Sequence, residues 1–169
     1  LEQGQIQIHT ENIFPIIKKA VYSGHEVFLR ELVSNGTDAI SKRRMAAMAG
    51  DCSEGDEGLI NITVDREAKT VKISDNGIGM TADEVKKYIN QVAFSSAEDF
   101  LEKYKQESDA IIGHFGLGFY SSFMVAKEVE LITYSARPDS EAVRWVCDGS
   151  PAFKLESHER SEPGTDVIL

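Results

Sequence analysis

The sequence predicts an α+β fold, a two-layer sandwich with helices packed on one face of a mostly antiparallel sheet. Three observations predict it. Apolar residues recur at helical spacing early in the chain, alternate at period two over two adjoining segments in the middle, and alternate again towards the end. The resulting order is two helices, two strands, more helices, then several strands. A chain of 169 residues matches one domain and can bury a proper core. No internal repeat, low-complexity tract or Pro/Gly/Ser-rich linker divides it.

Ile13, Ile16, Ile17, Ala20 and Val21 mark a first helix, with Pro15 tolerated in its first turn. A second helix is expected over residues 26–48. The acidic, glycine-bearing stretch 52–58 reads as a loop. Ile60, Ile62 and Val64 alternate with polar residues, as do Val71 and Ile73, which predicts two antiparallel strands. Thr81-Ala82-Asp83-Glu84 is a capping box, so a helix begins there and is expected to run to about Ala93. Short helices are expected over 97–105 and, after a glycine loop at 113–118, over 119–125. Strands follow at 129–134, 143–147, 152–155 and 165–169. The last strand stops at the end of the chain, and no Met opens it, so we expect residues 1–169 to form one domain cut from a longer polypeptide.

The net charge of −10 argues against nucleic acid as the main partner, because phosphates would be repelled, and leaves room only for a local basic pocket. Cys52 and Cys147 form no C-x-x-C pair, which fits a reducing cytoplasm. No run of about 18 apolar residues predicts a membrane span, and the first residues do not read as a signal peptide.

Three constellations carry chemistry. On the second helix, Glu31, Asn35, Asp38 and Lys42 fall in one stripe, with Leu29, Leu32, Val33, Gly36 and Ile40 roughly opposite. Alone, the stripe reads as a solvated face with an Asp38–Lys42 pair. Against that, Asn35 is a mediocre helix former, and Gly36 in mid-helix costs about 1 kcal/mol relative to Ala. Both point to a needed amide and a close approach. Second, a strand runs into Asp75, then a loop holding Gly77 and Gly79, then the helix capped at Thr81. An Asn-Gly turn would explain the glycines. Residues 77–82 also satisfy the dinucleotide pattern G-x-G-x-x-A, but the preceding strand belongs to a hairpin and no acid-ending strand follows about 20 residues later. A carboxylate at a strand end suits an exocyclic amine such as adenine N6. Third, the glycines at 113, 116 and 118 precede a helix, where backbone N–H groups favour an anion. No Walker A sequence occurs, and a flexible connector is the plain alternative.

Together the segments 28–39 (FLRELVSNGTDA), 74–81 (SDNGIGMT) and 112–121 (IGHFGLGFYS) resemble the signature segments of the N-terminal domain of the heat-shock-protein-90 chaperones, in their bacterial form. The likeness runs from the first helix to Gly164-Thr165. It implies the ATP-binding fold of the GHKL (Bergerat) type, with ATP or ADP and Mg²⁺ as ligands. It further implies ATP hydrolysis, lid closure and dimer clamping that assist client proteins during the heat-shock response. In that likeness Glu31 polarises the attacking water and Asn35 holds Mg²⁺. Asp75 takes the adenine amino group, with Gly79 and Thr165 assisting through water. Met80 and Phe119 line the base and sugar pocket. Asp38 and Lys42 sit at the mouth of the nucleotide site, and Ala39 also contacts the nucleotide. Gly116, Gly118 and Phe119 offer N–H groups to the phosphates, and residues 90–113 form the lid. Clients, the homodimer partner and a catalytic arginine are implied to come through domains beyond these residues.

Two departures stand out. Tyr88 occupies the place of a nucleotide-contacting Asn, and Phe94 that of a phosphate-contacting Lys. Gly36 also replaces a common Ala. The adenine site is unaffected, while the phosphate and lid contacts are put in doubt. The rival readings are another ATPase of the superfamily (a type II topoisomerase, a mismatch-repair ATPase or a sensor histidine kinase) and a nucleotide-binding module that never hydrolyses. The acidic charge and the RELVSN wording oppose the first group, and Glu31 opposes the second.

Overall fold

The computed structural model describes Gly24 and residues 26–90 and 118–169. They form helix α1 (Val27–Met48), strands β1 (Ile60–Asp65) and β2 (Thr70–Asp75), helix α2 (Ala82–Tyr88), a 3-10 helix (Gly118–Met124), and strands β3 (Val129–Tyr134), β4 (Val143–Cys147), β5 (Lys154–Ser157) and β6 (Gly164–Ile168). The expected helices near 13–21 and 97–105, most of the glycine loop, and Phe94 lie outside the described residues.

The strands pair in the order β1-β2-β6-β3-β4-β5, and every pair is antiparallel. The α+β class therefore holds. The β1–β2 hairpin turns where the Asp65 carboxylate accepts the N–H groups of Glu67 and Ala68, each at 2.9 Å. Register puts Ile62, Ile73, Val167, Leu131, Trp145 and Leu155 in one row across all six strands. Alternation at period two sends that row to one face, where α1 and the 3-10 helix cover all of it but the exposed Ile62 with Leu32 and Phe119. The other face is polar: Lys72 meets Asp166 at 2.8 Å, and Arg144 bridges Glu130 at 2.6 Å and Glu156 at 2.8 Å.

Three boundaries differ from expectation. Helix α2 ends at Tyr88 rather than near Ala93, because its next residues are held from outside. The Tyr120 hydroxyl donates to the Ile89 carbonyl, and the Trp145 indole N–H donates to the Asn90 side chain at 2.8 Å. The segment after the glycine loop winds as a 3-10 helix, in which the Ser121 hydroxyl bonds the Gly118 carbonyl at 2.6 Å. Strand β5 starts at Lys154 instead of 152, since Pro151, Ala152 and Phe153 stay exposed ahead of it.

The predicted capping box is present: Thr81 accepts the Glu84 N–H at 3.3 Å, and the Glu84 carboxylate accepts the Thr81 N–H at 2.9 Å. Glu84 also pairs with Arg137, just past β3. We therefore expect Thr81→Ala to cost about 1 kcal/mol in urea unfolding. Glu84→Ala should cost more, because it removes a cap bond and the ion pair together; equal costs would mean that the Arg137 pair contributes nothing.

Candidate functional site

Beside the apolar row runs a second one on the same face, containing Ile60, Asp75, Thr165, Thr133 and Val143. Its centre is polar. The Thr133 and Thr165 hydroxyls lie 2.9 Å apart, Thr133 accepts the Met80 N–H at 2.9 Å, and its hydroxyl lies 3.2 Å from the Gly164 carbonyl. The Asp75 carboxylate accepts the Gly77 N–H at 2.8 Å. Asp75, Gly79, Met80 and Thr165, singled out from the sequence, are thus brought together. Thr133 was missed: in sequence it is one polar residue in an alternating strand, and only its register against Thr165 reveals it.

The loop after β2 is clamped on both sides. The Ile78 N–H donates to the Ala39 carbonyl of α1 at 2.9 Å, and the Ile78 carbonyl accepts the Ala136 N–H at 2.8 Å. Arg43 donates to the Asn76 carbonyl at 2.8 Å, while the Asn76 side chain holds the backbone of Glu57 at 2.9 Å and of Leu59 at 2.8 Å. Gly79 sits at φ +63°, and a Cβ there would overlap the Tyr134 carbonyl. Gly36 meets its expectation of a close approach: a Cβ on it would stand 3.1 Å from Ile60 and 3.3 Å from the Asp75 Cβ.

The stripe on α1 is not a simple solvated face. Asp38 is buried and Lys42 is half-buried. Burial pushes the Lys42 ammonium below the usual lysine range, Asp38 and Glu84 pull it back up, and Arg137 lowers it further. Asp75 is only partly buried as a residue, yet its carboxyl lies deep in the fold. Burial pushes it up to about 7, against the lowering effects of the Gly77 N–H and Arg160.

At the other end of α1, a Cβ on Gly118 would stand 2.7 Å from the Glu31 carboxylate. Glu31 therefore lies against the last residue of the glycine loop. Gly116 lies outside the described residues. The Phe119 ring is buried edge-on between Tyr120 and Trp145, at centroid distances of 5.8 and 5.6 Å. Asn35 is exposed, one helical turn from Glu31. Among the described residues no cluster of three His, Cys, Asp or Glu could hold a metal. An amide oxygen beside one carboxylate fits a hard cation that keeps most of its ligands from elsewhere, such as Mg²⁺ on phosphate. Among the same residues no helix is long and apolar enough to cross a membrane.

Residues 22–150 match the family model described as histidine kinase-, DNA gyrase B-, and HSP90-like ATPase. The chain is 56% identical over 169 residues to the chaperone protein HtpG of Bacteroides thetaiotaomicron, covering all of this chain and 25% of that protein. It is 53% identical over 170 residues to HtpG of Porphyromonas gingivalis (99% and 25%) and 41% identical over 175 residues to HtpG of Streptomyces coelicolor (99% and 27%). The chain thus spans about a quarter of the length of these curated relatives.

Two expectations follow from the geometry. The Asp75 carboxyl, near 7 when folded and about 3.9 when unfolded, holds a proton in the native state that the unfolded chain has lost. Its contribution to stability is therefore full below about pH 4 and lost as pH rises through about 7, at up to ~1.4 kcal/mol per pH unit. Urea melts without ligand should show this slope in the native chain and lose it in Asp75→Asn. Gly50 shares a positive φ of +79° but has open space, so Gly50→Ala should cost about 1 kcal/mol. Gly79→Ala, which adds the overlap with Tyr134, should cost clearly more by the same measurement.

Proposed function

The chain belongs to the histidine kinase-, DNA gyrase B- and HSP90-like ATPase family, and from that premise we propose that it is the nucleotide-binding domain of an HSP90-type chaperone, which binds ATP with Mg²⁺ and hydrolyses it very slowly by itself. One observation carries this reading: a single helix touches Asp75 through Gly36 and the end of the glycine loop through Glu31. At 1.5 Å rise and about 100° per residue, those two points lie roughly 7.5 Å apart along α1 and on different sides of it, so one rigid helix relates the base end to the phosphate end.

In this reading Asp75 accepts the adenine amino hydrogen, with Thr165 and the Gly79 backbone beside it. Met80, whose N–H is pinned by Thr133, packs against the base. Asp38, Ala39 and Lys42 border the nucleotide, with Lys42 as a nearby cation. Gly116, Gly118 and Phe119 present backbone N–H groups to the phosphates, where a helix start favours negative charge. Asn35 would hold Mg²⁺, which neutralises charge on the phosphate oxygens when bound. Glu31 takes a proton from the attacking water, a general-base role. Dimer clamping, client folding and a cytoplasmic site of action belong to the whole protein, and we propose them on its likeness to the HtpG chaperones.

Calorimetric titration with ADP and Mg²⁺ tests the base site. Asp75→Asn keeps an acceptor for the Gly77 N–H, so the fold should survive, while ADP binding should weaken by about 1.5–3 kcal/mol. Near-native ADP affinity in the folded variant would sink the adenine assignment. Glu31→Ala should keep ATP affinity and abolish turnover, since a base acts in the transition state and not on the bound nucleotide. Residual hydrolysis equal to the native rate would remove Glu31 from the mechanism.

A further inference from the structure

Arg160 lies in the loop between β5 and β6, and no role assigned above involves it. Its guanidinium nevertheless ties three groups together. It donates to the Glu162 carbonyl at 2.8 Å, to the Asp166 carboxylate at 3.1 Å and to the Asp75 carbonyl at 3.3 Å. The side chain is 15% exposed, and Lys72 holds the same Asp166 from the outer face. Gly164 makes the approach possible: a Cβ there would overlap the Asp75 carbonyl and stand 3.0 Å from Arg160.

We propose that Arg160 is a positioning residue for nucleotide binding: by strapping the loop before β6 onto the backbone of Asp75, it fixes how that carboxylate is presented to the base. The proposal rests on the nucleotide reading above. The β2–β6 ladder ends at the Asp75–Thr165 pair, and Arg160 adds a donor just past that end. Its charge also lowers the Asp75 carboxyl, alongside the backbone N–H groups of Gly77 and Thr165.

The groups around that carboxyl can be named. On the β6 side stand Arg160 and Asp166, of opposite sign, and the Thr165 N–H, and in its own loop the Gly77 N–H. β1 offers Ile60. α1 offers the uncharged Gly36, with buried Asp38 and Arg43 farther along, the latter bound to the neighbouring Asn76 carbonyl. Removing Arg160 leaves burial and Asp166 opposing the anion, so the carboxyl should ionise at higher pH. An amine donor on the base prefers the anion, so binding should follow that ionisation.

The experiment is ADP affinity by calorimetry from pH 6 to 9 for the native chain, Arg160→Gln and Arg160→Lys, with urea stability in the same buffers. In Arg160→Gln the midpoint should rise by roughly one pH unit, a size typical of losing a close opposite charge. With the native midpoint near 7, that lowers the ionised fraction from about one half to about one tenth at pH 7, or about fivefold weaker binding. The two curves should meet above about pH 9, and Arg160→Lys should restore most of the midpoint. An unchanged affinity profile in Arg160→Gln overturns the proposal while leaving nucleotide binding standing. No ADP binding by the native chain overturns both. Should Arg160→Gln fail to fold, Arg160→Met keeps the stem of the side chain and removes every donor: the midpoint should rise again, and an unchanged one would overturn the proposal.

Discussion

The rest of the structure depends on the antiparallel pairing of β2 with β6. β6 comes last among the strands but inserts between β2 and β3, so Asp75, Thr165 and Thr133 become neighbours only when the end of the chain docks. The register is heavily specified. A slip by one residue would send Ile73 and Val167 to the charged face and take Asp75 and Thr165 with them. The apolar row that forms the core thereby also fixes the polar row that forms the site.

A polar row on the covered face of a sheet is expensive unless its members are bonded. Thr133 meets that cost by serving Met80, Thr165 and Gly164 at once. Asp75 is only partly compensated: the backbone N–H groups of Gly77 and Thr165 accompany a carboxyl that burial holds near 7. The scaffold thus keeps a strong acceptor short of donors, which is the state a site needs before an amine arrives. Its geometry is held from the flanks, by Arg43 on the Asn76 carbonyl and by the backbone bonds of Ile78 to α1 and to Ala136. Positions with a rigid surround of this kind bind without reorganising.

What was legible in the sequence was local. Period-two alternation found the β1–β2 hairpin, β3 and β4, and the capping box marked the start of α2. The misfit of Gly36 within a helix signalled a close approach, and in the structure Asp75 and Ile60 are what it approaches. The unread features are all non-local. The end of α2 is set by Tyr120 and Trp145, far along the chain, and no residue of α2 announces them. Thr133 and Arg160 look like ordinary polar residues until register and loop packing bring them to Asp75. The stripe holding Asp38 and Lys42 reads alone as a solvated face, yet Asp38 is buried, because helical geometry gives direction but not depth.

Helix α1 links the two ends of the site mechanically. The Arg30–Glu31 ion pair, at 3.4 Å with Arg30 73% exposed, is too solvated to orient Glu31, since exposed pairs contribute at most about 1 kcal/mol. The neighbour that bounds Glu31 is Gly118, against which its carboxylate lies. The other contact of α1, Gly36 on Asp75, lies about one and a half helical turns away on the same rigid rod. A tilt of the helix that opened the gap at Asp75 would also move Glu31 relative to the glycine loop. In the proposed mechanism base recognition and water activation are therefore not independent, because one rigid helix carries both the glycine packed against β2 and the carboxylate at the phosphate end.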